Sequence, residues 1–326
     1  MENQTSSLVE RYIFGVDIGG TTVKIGLLDM DGHKIEVWEI PTRTEDEGKN
    51  VLPDIAEAIR NKMTERGIKD SQVVGVGAGA PGPFGDDGTI FKAVNLGWSE
   101  FNMKDELHDL VKIPVKCGND ANVAALGEYW MGGGQGYKDM LMVTLGTGVG
   151  GGIIHNGKIF NGATGAGGEI GHIHINDDET LVCGCGHKGC LEQYASATGA
   201  VLLMNRLLEE SDEECVLRGT DFMCKDIFDA AKKGDKLANE AITRYGEYLG
   251  KGLAMIASTI NPEIIVFGGG VSKAGDVLFD LVRPSFEKYV FPGAKRTKFA
   301  LAKLGNDAGI FGAAKLVLDS VSKNEN

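Results

Sequence analysis

The sequence predicts an α/β protein with two related lobes and a metal-binding insertion in the second lobe. Three observations support this prediction. The chain of 326 residues contains the same series of elements twice. Each copy runs from a strand through a glycine turn, a second strand, an Asx-Gly hairpin turn and a third strand to a helix and a strand that ends in glycines. The second copy is about sixty residues longer than the first, and the added segment contains the cysteine-rich stretch "CGCGHKGC". Internal repetition of this kind indicates a duplicated core.

The first copy opens with three strands and continues with a helix. Asp31-Gly32 is a strong hairpin signal between the second and third strands. Apolar residues recur at helical spacing from Val51 to Arg66, and Gly67 suits the C-terminal end of that helix. The predicted strands are residues 11–20, 21–30, 33–40 and 72–80.

The second copy repeats this order. Asn156-Gly157 is its hairpin signal, and a helix predicted over residues 237–260 corresponds to the helix of the first copy. The predicted strands are residues 139–148, 149–155, 158–160 and 263–270.

Two lobes that each place a glycine turn between their first strands suggest a cleft in which hairpins hold a nucleotide. This is the layout of the actin-like, ribonuclease-H-like ATPases, with a duplicated βββαβ-type core. Two ordinary mixed sheets with coincidental glycines are the alternative. We expect a small N-terminal lobe of residues 1–120 plus about 305–326, and a large lobe of residues 121–304.

Composition narrows the functional classes. A chain of 326 residues is long enough for two lobes with separate cores. The formal net charge of −13 argues against a nucleic-acid partner, because phosphates need a basic surface. We recognise neither a signal peptide nor an apolar run of about 18 residues, so we expect a cytoplasmic protein without a membrane anchor. The 48 glycines indicate tight turns or close backbone approaches.

The glycine-rich stretch "GTGVGG" at residues 146–151 matches the dinucleotide fingerprint G-x-G-x-x-G only formally. A predicted strand follows it, whereas the fingerprint needs a helix whose N-terminus holds the pyrophosphate. A G-K-[ST] phosphate loop is absent from the sequence as well. The sequence therefore argues against both of these nucleotide-binding motifs.

The stretch "DIGGTTVK", from Asp17 to Lys24, is more informative. Gly19 and Gly20 permit a sharp turn that aims backbone N–H groups at a phosphate, and the two threonines that follow add hydroxyl donors. Asp17 places a carboxylate where Mg²⁺ on those phosphates would need one. An ordinary hairpin with a polar tip is the alternative, but the similar turn at residues 146–148 favours phosphate binding.

Asn119 and Asp120 precede a helix that presents Val123, Leu126 and Trp130 on one face. Either residue can cap the helix, a role that needs no chemistry. Only one of them can be the cap, however, and a carboxylate at a helix N-terminus is held ionised by the helix dipole. Such a carboxylate can orient a substrate hydroxyl and take its proton during phosphoryl transfer. Both roles are compatible with the spacing.

Cys183, Cys185 and Cys190 lie in a glycine-rich loop whose first cysteine follows His172 by 11 residues. Three thiolates and one imidazole complete a tetrahedral structural zinc site, whereas a C-x-C disulfide would be strained and would not persist in the cytosol. His174 is expected on the same strand face as His172, and a further histidine lies inside the loop, so the choice of imidazole stays open. Buried thiols or a redox loop are the alternatives.

Taken together, these motifs resemble the ROK family of sugar kinases and regulators, and within it the bacterial glucokinases. The stretch "CGCGHKGCLEQYASATG" is similar to the family's zinc signature, and "GEIGHI" is similar to its sugar-binding element. Likewise, "DIGGTTVK" is similar to the phosphate motif, and "NDANVAALGE" to the segment that supplies the catalytic aspartate. The motifs occur in the family's order, and the resemblance covers residues from about 11 to 317.

The resemblance implies a role for each motif residue, with Asp120 as the general base. The sugar hydroxyls would be bound by Asn95, Asn119, Asp120, Glu169, His172 and Glu192. The nucleotide would be bound by Asp17, Gly19, Gly20, Thr21, Thr22, Lys24, Gly146, Thr147, Gly148, Gly268, Gly269 and Gly270. One structural Zn²⁺ would be held by His172, Cys183, Cys185 and Cys190, and would thereby arrange the two sugar-binding glutamates.

The implied activity is ATP-dependent phosphorylation of D-glucose at its 6-hydroxyl, the first step of glucose use in glycolysis, with Mg²⁺ accompanying ATP. A homodimer is usual in the family. The alternatives are a kinase for another hexose, N-acetylmannosamine or fructose, and a sugar-sensing transcriptional regulator of the same family. Such regulators carry an N-terminal helix-turn-helix domain, whereas only about ten residues precede the first predicted strand here.

Overall fold

A computed structural model of the chain describes residues 10–321. Within this range the chain divides into two compact units. The first unit comprises the described residues up to Gly132, the segment Asn161–Gly167 and the described residues from Asn306 onward. The second unit comprises Gly133–Phe160 and Gly168–Gly305.

The first unit is built on a five-stranded mixed sheet flanked by helices. Its elements are β1 (Tyr12–Ile18), β2 (Thr22–Asp29), β3 (Lys34–Pro41), α1 (Val51–Arg66), β4 (Val73–Ala80), β5 (Thr89–Ile90), β6 (Phe101–Asn102), α2 (Met103–Val111), β7 (Val115–Asn119), α3 (Asp120–Met131) and α9 (Ala308–Val321). The strand order is β3-β2-β1-β4-β7. The strands β1, β2 and β3 are antiparallel neighbours, whereas β4 is parallel to both β1 and β7.

The second unit repeats this arrangement with a longer excursion after its third strand. Its elements are β8 (Met140–Leu145), β9 (Val149–His155), β10 (Lys158–Ile159), α4 (Glu192–Ala195), α5 (Ala197–Glu210), α6 (Cys224–Lys232), α7 (Lys236–Ile260), β11 (Ile264–Gly268), α8 (Asp276–Tyr289) and β12 (Lys298–Leu301). The strand order is β10-β9-β8-β11-β12, with the same pattern of antiparallel and parallel pairs as in the first sheet.

The two sheets confirm the predicted fold class, a duplicated α/β core like that of actin-like ATPases with an insertion in the second copy. Helix α1 has the predicted bounds, and Gly67 ends it in the left-handed conformation with φ of 66°. Its apolar face is buried, with Ile55 and Ile59 both 0% exposed. The segment between β10 and α7 contains the cysteine loop and three helices, α4, α5 and α6, that the sequence pattern did not predict.

Helix α9 packs closely on the first sheet because glycines replace side chains at the contact. A Cβ atom on Gly77 of β4 would lie only 1.7 Å from the carbonyl oxygen of Ala313 in α9. A Cβ atom on Gly312 of α9 would likewise lie 1.7 Å from the carbonyl oxygen of Val123 in α3. Part of the glycine content therefore serves backbone packing. This packing also keeps α3 in the first unit, beyond the lobe boundary predicted at residue 120.

Candidate active site

The turn between β1 and β2 has the form expected of a phosphate-binding loop. The N–H of Gly19 donates to the carbonyl oxygen of Thr22 at 3.0 Å, and the hydroxyl of Thr42 donates to the carbonyl oxygen of Gly19 at 2.7 Å. Gly20 and Thr21 lie at the exposed tip of the turn. The turn is therefore held by Thr42, the residue that follows β3, and its tip presents backbone N–H groups and hydroxyls at the surface of the first unit.

Asp17 lies one residue before the end of β1 and carries an unusual charge environment. Burial and the nearby Asp120 carboxylate raise the pKa of Asp17 to about 6, although Lys24 acts in the opposite direction. Space for its carboxylate exists because residue 309 in α9 is a glycine, where a Cβ atom would lie 2.4 Å from Oδ2. A buried carboxylate repelled by a second one suits a divalent cation, so the chemistry of Asp17 fits the Mg²⁺ that accompanies ATP.

Lys24, which the family resemblance assigns to the nucleotide, is engaged by other residues of the first unit. Its Nζ donates to the carbonyl oxygen of Asn306 at 3.2 Å and to Oδ1 of Asp307 at 3.3 Å. It also lies 3.5 Å from Oε1 of Glu39. These contacts tie β2 to the turn that precedes α9, so a nucleotide-binding role for Lys24 rests on the family resemblance alone.

The junction of β7 and α3 assigns separate tasks to Asn119 and Asp120. Oδ1 of Asn119 accepts the N–H of Asn122 at 3.1 Å, so Asn119 is the helix cap. Oδ1 of Asp120 accepts the N–H of Ala121 at 2.8 Å and the amide of Asn119 at 3.0 Å. Within residues 10–321, both of these donors from neighbouring residues bind Oδ1 of Asp120, which leaves Oδ2 to accept a hydrogen bond from a substrate hydroxyl.

Burial raises the pKa of Asp120, while the hydrogen bonds from Ala121 and Asn119 act against that rise. A carboxylate with a raised pKa is a stronger base once ionised. The geometry and the pKa of Asp120 therefore both suit proton abstraction from a hydroxyl.

Two asparagines complete the surroundings of this site in the first unit. Asn95 lies on a short turn next to the phosphate loop, where a Cβ atom on Gly20 would be 3.8 Å from its Cβ atom. Asn122, which the sequence analysis did not identify, is 3% exposed, and its Oδ1 is a buried acceptor without a donor among the described residues. Its amide contacts Oδ1 of Asn161 at 3.5 Å. The second asparagine of the "NDAN" stretch was the available signal.

The second unit has two glycine loops at the carboxyl ends of adjacent parallel strands, β8 and β11. The N–H of Gly146 donates to the carbonyl oxygen of Gly148 at 3.0 Å, which closes a tight turn around the exposed Thr147. Gly269 has φ of 82°, and a Cβ atom there would lie 2.4 Å from the carbonyl oxygen of Leu145. The remaining predicted loop residues are Gly268, which ends β11, and Gly270, which is exposed. The structure thus places these predicted nucleotide loops beside each other.

Glu192, at the start of α4, lies against the first of these loops. Its Oε2 accepts the N–H of Val149 at 2.9 Å, and a Cβ atom on Gly148 would lie 2.2 Å from the same oxygen. Its Oε1 lies 3.9 Å from Sγ of Cys183. The carboxylate therefore connects the cysteine loop with the glycine loop.

The four predicted metal ligands come together in the second unit. The ligand atoms of His172, Cys183, Cys185 and Cys190 all lie within 4.8 Å of one another. Sγ of Cys183 is 3.6 Å from Nδ1 of His172, and the Sγ atoms of Cys185 and Cys190 are 3.6 Å apart. Tetrahedral coordination with Zn–S bonds of ~2.3 Å and a Zn–N bond of ~2.0 Å requires ligand atoms ~3.5–3.8 Å apart, so the cluster fits Zn²⁺.

The choice of imidazole, open in the sequence, is decided by the fold. The expectation that His174 shares a strand face with His172 is wrong, because residues Ile170–His172 form a short 3-10 turn. Nδ1 of His174 contacts the carbonyl oxygen of Lys188 at 2.9 Å, and its Nε2 contacts Asp177 at 2.8 Å. His172 alone of the two is directed at the thiols. Its Nε2 lies 3.9 Å from Oε2 of the exposed Glu169.

Comparison with known proteins decides the family. The model of the ROK family matches residues 13–320. The chain belongs to the ROK family. The glucokinase of Halalkalibacterium halodurans is 44% identical over 94% of this ROK chain and 95% of its own length.

Solved structures of ROK proteins have the same fold. A ROK family glucokinase from Streptomyces griseus in complex with glucose and AMPPNP is 36% identical, has a TM-score of 0.70 and covers 94% of this chain and 98% of its own. The ROK hexokinase from Thermus thermophilus has a TM-score of 0.81 at 29% identity and covers 96% and 99% of the two chains.

The predicted sugar-binding residues of this ROK chain come from both units. Asn95, Asn119 and Asp120 belong to the first unit, whereas Glu169, His172 and Glu192 belong to the second.

Within residues 10–321, no helix is long and apolar enough to traverse a lipid bilayer.

Proposed function

We propose that this ROK protein is an ATP-dependent glucokinase that transfers the γ-phosphoryl group of ATP to the 6-hydroxyl of D-glucose. The observation that carries the proposal is the 44% identity to a glucokinase over nearly the full length of both chains. A chain that matches end to end has the same elements available for substrate and nucleotide. Asp17 and Asp120 of the first unit supply the carboxylates that this reaction needs.

Asp120 acts as the general base. Its Oδ2 accepts the proton of the 6-hydroxyl while the hydroxyl oxygen bonds to the γ-phosphorus and the bond between that phosphorus and the β,γ-bridging oxygen breaks, releasing ADP. The hydrogen bonds that hold Oδ1, from Ala121 and Asn119, keep the carboxylate oriented toward the substrate. Mg²⁺ bound with ATP supplies charge neutralisation on the phosphates. Asp17 is the carboxylate of the first unit that would hold this Mg²⁺.

The remaining predicted residues bind and orient the substrates. Backbone N–H groups and hydroxyls of the three glycine loops, at residues 19–22, 146–148 and 268–270, bind the nucleotide. The sugar hydroxyls are bound by Asn95, Asn119, Glu169, His172 and Glu192. His172, Cys183, Cys185 and Cys190 would hold a structural Zn²⁺, which stabilises the loop between the two glutamates. Four protein ligands complete a tetrahedral shell, so no coordination position is left for a catalytic water.

A coupled assay of ADP formation over a panel of sugars tests the activity. We expect kcat/KM for glucose to exceed that for fructose, N-acetylmannosamine and N-acetylglucosamine by at least tenfold, because polar groups that pair with the glucose hydroxyls are left unpaired by a sugar of different shape. Asp120→Asn serves as the control for contaminating kinases. A higher kcat/KM for one of the other sugars would assign that sugar instead, and sugar-dependent DNA binding without phosphorylation would indicate a regulator.

Two expectations from the family resemblance extend this proposal. We propose a homodimer, which light scattering of the purified protein tests directly. We also propose a cytoplasmic location, where both ATP and free glucose are available, and which fractionation of the source cells tests.

A further inference from the structure

A buried carboxylate lies close to the cysteine loop and has no part in the mechanism above. Glu179 is 6% exposed, and its side chain is only 1% exposed. Nη2 of Arg206 donates to Oε1 at 2.8 Å and to Oε2 at 3.0 Å, and the hydroxyl of Tyr194 donates a short hydrogen bond to Oε2. The N–H groups of Thr180 and Leu181 donate to Oε1 at 2.9 Å. The carboxylate is therefore fully engaged by protein donors.

The electrostatics of this cluster indicate a permanent anchor. Burial alone would raise the pKa of Glu179, but hydrogen bonds from Arg206, Tyr194 and Leu181 outweigh it and lower the pKa to about 2. The carboxylate thus stays ionised at physiological pH. A buried charge of this kind is tolerated only when it is paired and hydrogen-bonded, and removing one partner is costly.

Tyr194 connects this anchor to a residue of the proposed sugar site. It lies in the four-residue helix α4, two positions after Glu192, and is 1% exposed. Its hydroxyl accepts the amide of Asn176 at 2.8 Å, and its ring stacks on that of Tyr248 in α7 with centroids 4.2 Å apart. Any rotation of α4 would displace Tyr194 from these contacts. The position of the Glu192 carboxylate is therefore coupled to that of the Tyr194 ring.

A second link joins α4 to the segment that carries Glu179. Oε1 of Gln193 accepts the N–H of Cys190 at 3.1 Å, and its amide donates to the carbonyl oxygen of Leu181 at 3.0 Å. These bonds use the backbone of the cysteine loop and none of its sulfur atoms. Two separate sets of contacts thus hold the cysteine loop. One is formed by the proposed metal ligands, and the other by Gln193 and the side chains around Glu179.

We propose that Glu179, with Tyr194 and Arg206, is a positioning group for glucose, holding α4 so that the Glu192 carboxylate meets the sugar hydroxyls. This inference rests on the proposed glucokinase function. Glu179 itself touches neither substrate. Its effect passes through Tyr194 to Glu192, so its loss weakens glucose binding while the proposed metal ligands stay in place.

Tyr194→Phe is the first test because it removes one hydroxyl and keeps the stacked ring. We expect KM for glucose to rise about fivefold or more, since a hydrogen bond to a charged group is lost. The metal content per chain should stay within twofold of the wild type. KM for ATP should rise less than KM for glucose, because Glu192 keeps its hydrogen bond from the N–H of Val149 in this variant. Glu179→Gln, which keeps the side-chain volume, should shift the same parameter in the same direction.

The control is Asp229→Asn, which removes an exposed ion pair with Lys225 on α6 and should leave every parameter unchanged. A purely structural role would instead lower the melting temperature and the yield of active protein while KM for glucose stayed at the wild-type value. That result in Tyr194→Phe would overturn the inference, whether or not Glu179→Gln folds. A wild-type protein that does not phosphorylate glucose would overturn the proposed function itself, which separates the two failures.

Discussion

The side chain of Asn119 caps helix α3 by accepting the N–H of Asn122 at 3.1 Å. Because Asn119 caps the helix, the carboxylate of the neighbouring Asp120 is not needed as a cap and can bind a substrate hydroxyl. The two adjacent residues at the end of β7 therefore have different roles, Asn119 as the helix cap and Asp120 as the candidate base. It also leads to the first prediction.

Asp120→Asn should reduce kcat for glucose by 10²–10⁴-fold, because the amide has nearly the same shape but cannot accept the hydroxyl proton. Glucose binding should remain measurable by calorimetry, since the helix cap is untouched. Steady-state kinetics with a coupled assay gives the first value. A variant that keeps more than about a tenth of the wild-type kcat would sink the assignment of Asp120 as general base.

Asp17→Asn should stabilise the nucleotide-free protein at pH 8 but not at pH 4. The folded-state pKa of Asp17 is about 6 against an ordinary value of 3.8, so its ionisation destabilises the fold progressively from about pH 4 and fully above pH 6. At about 1.4 kcal/mol per pKa unit, the upper limit of the gain in unfolding free energy is about 3 kcal/mol. Urea unfolding at both pH values measures it, with the exposed Asp109→Asn as the matched control. Equal stability of variant and wild type at pH 8 would contradict the assigned electrostatics.

Glu169→Ala should weaken glucose binding about tenfold and leave ATP binding unchanged, since one hydrogen bond to a charged group is lost. The side chain is exposed, and its Oε2 lies 3.9 Å from Nε2 of His172. Separate titrations with glucose and with a non-hydrolysable ATP analogue distinguish the two affinities. A rise in KM for ATP at constant KM for glucose would reverse the assignment.

Glu192→Ala should weaken both ligands, in contrast to Glu169→Ala. Its carboxylate accepts the N–H of Val149 beside the glycine loop, so truncation removes a proposed sugar ligand and loosens the backbone that we propose binds phosphate. The same pair of titrations provides the measurement. An effect confined to glucose would show that the contact with Val149 has no role in nucleotide binding.

Cys185→Ala should release the metal and raise KM for glucose while ATP-analogue binding survives. The three remaining ligands no longer complete a tetrahedral shell, and the loop between Glu169 and Glu192 loses the metal that holds it. Plasma emission spectrometry of the purified protein should find one zinc per wild-type chain and much less in the variant. Fully active wild-type protein that was purified without chelators and contains no zinc would end the idea.

Several features of this protein follow from local sequence patterns because the interactions behind them are local. The apolar spacing from Val51 to Arg66 and the glycine at 67 predict α1 with its observed ends, since periodicity and a left-handed C-terminal residue act within a few positions. The doubled order of strands and Asx-Gly turns likewise predicts the two matching sheets. Three cysteines in eight residues predict a cluster of thiols, since so short a loop brings their sulfurs together.

Only the tertiary structure decided features that join distant parts of the chain. A 3-10 turn directs the ring of His172, and not that of His174, at the thiols. Lys24 contacts Asp307, which lies 283 positions away in the sequence. Glu179 escaped notice in the sequence because its partner Arg206 lies 27 positions further on. Sequence by itself determined the repeated core, the cysteine cluster and the candidate base, through periodicity and short-range geometry. The packing of helices and loops decided which side chains meet, because such contacts depend on the three-dimensional path of the whole chain.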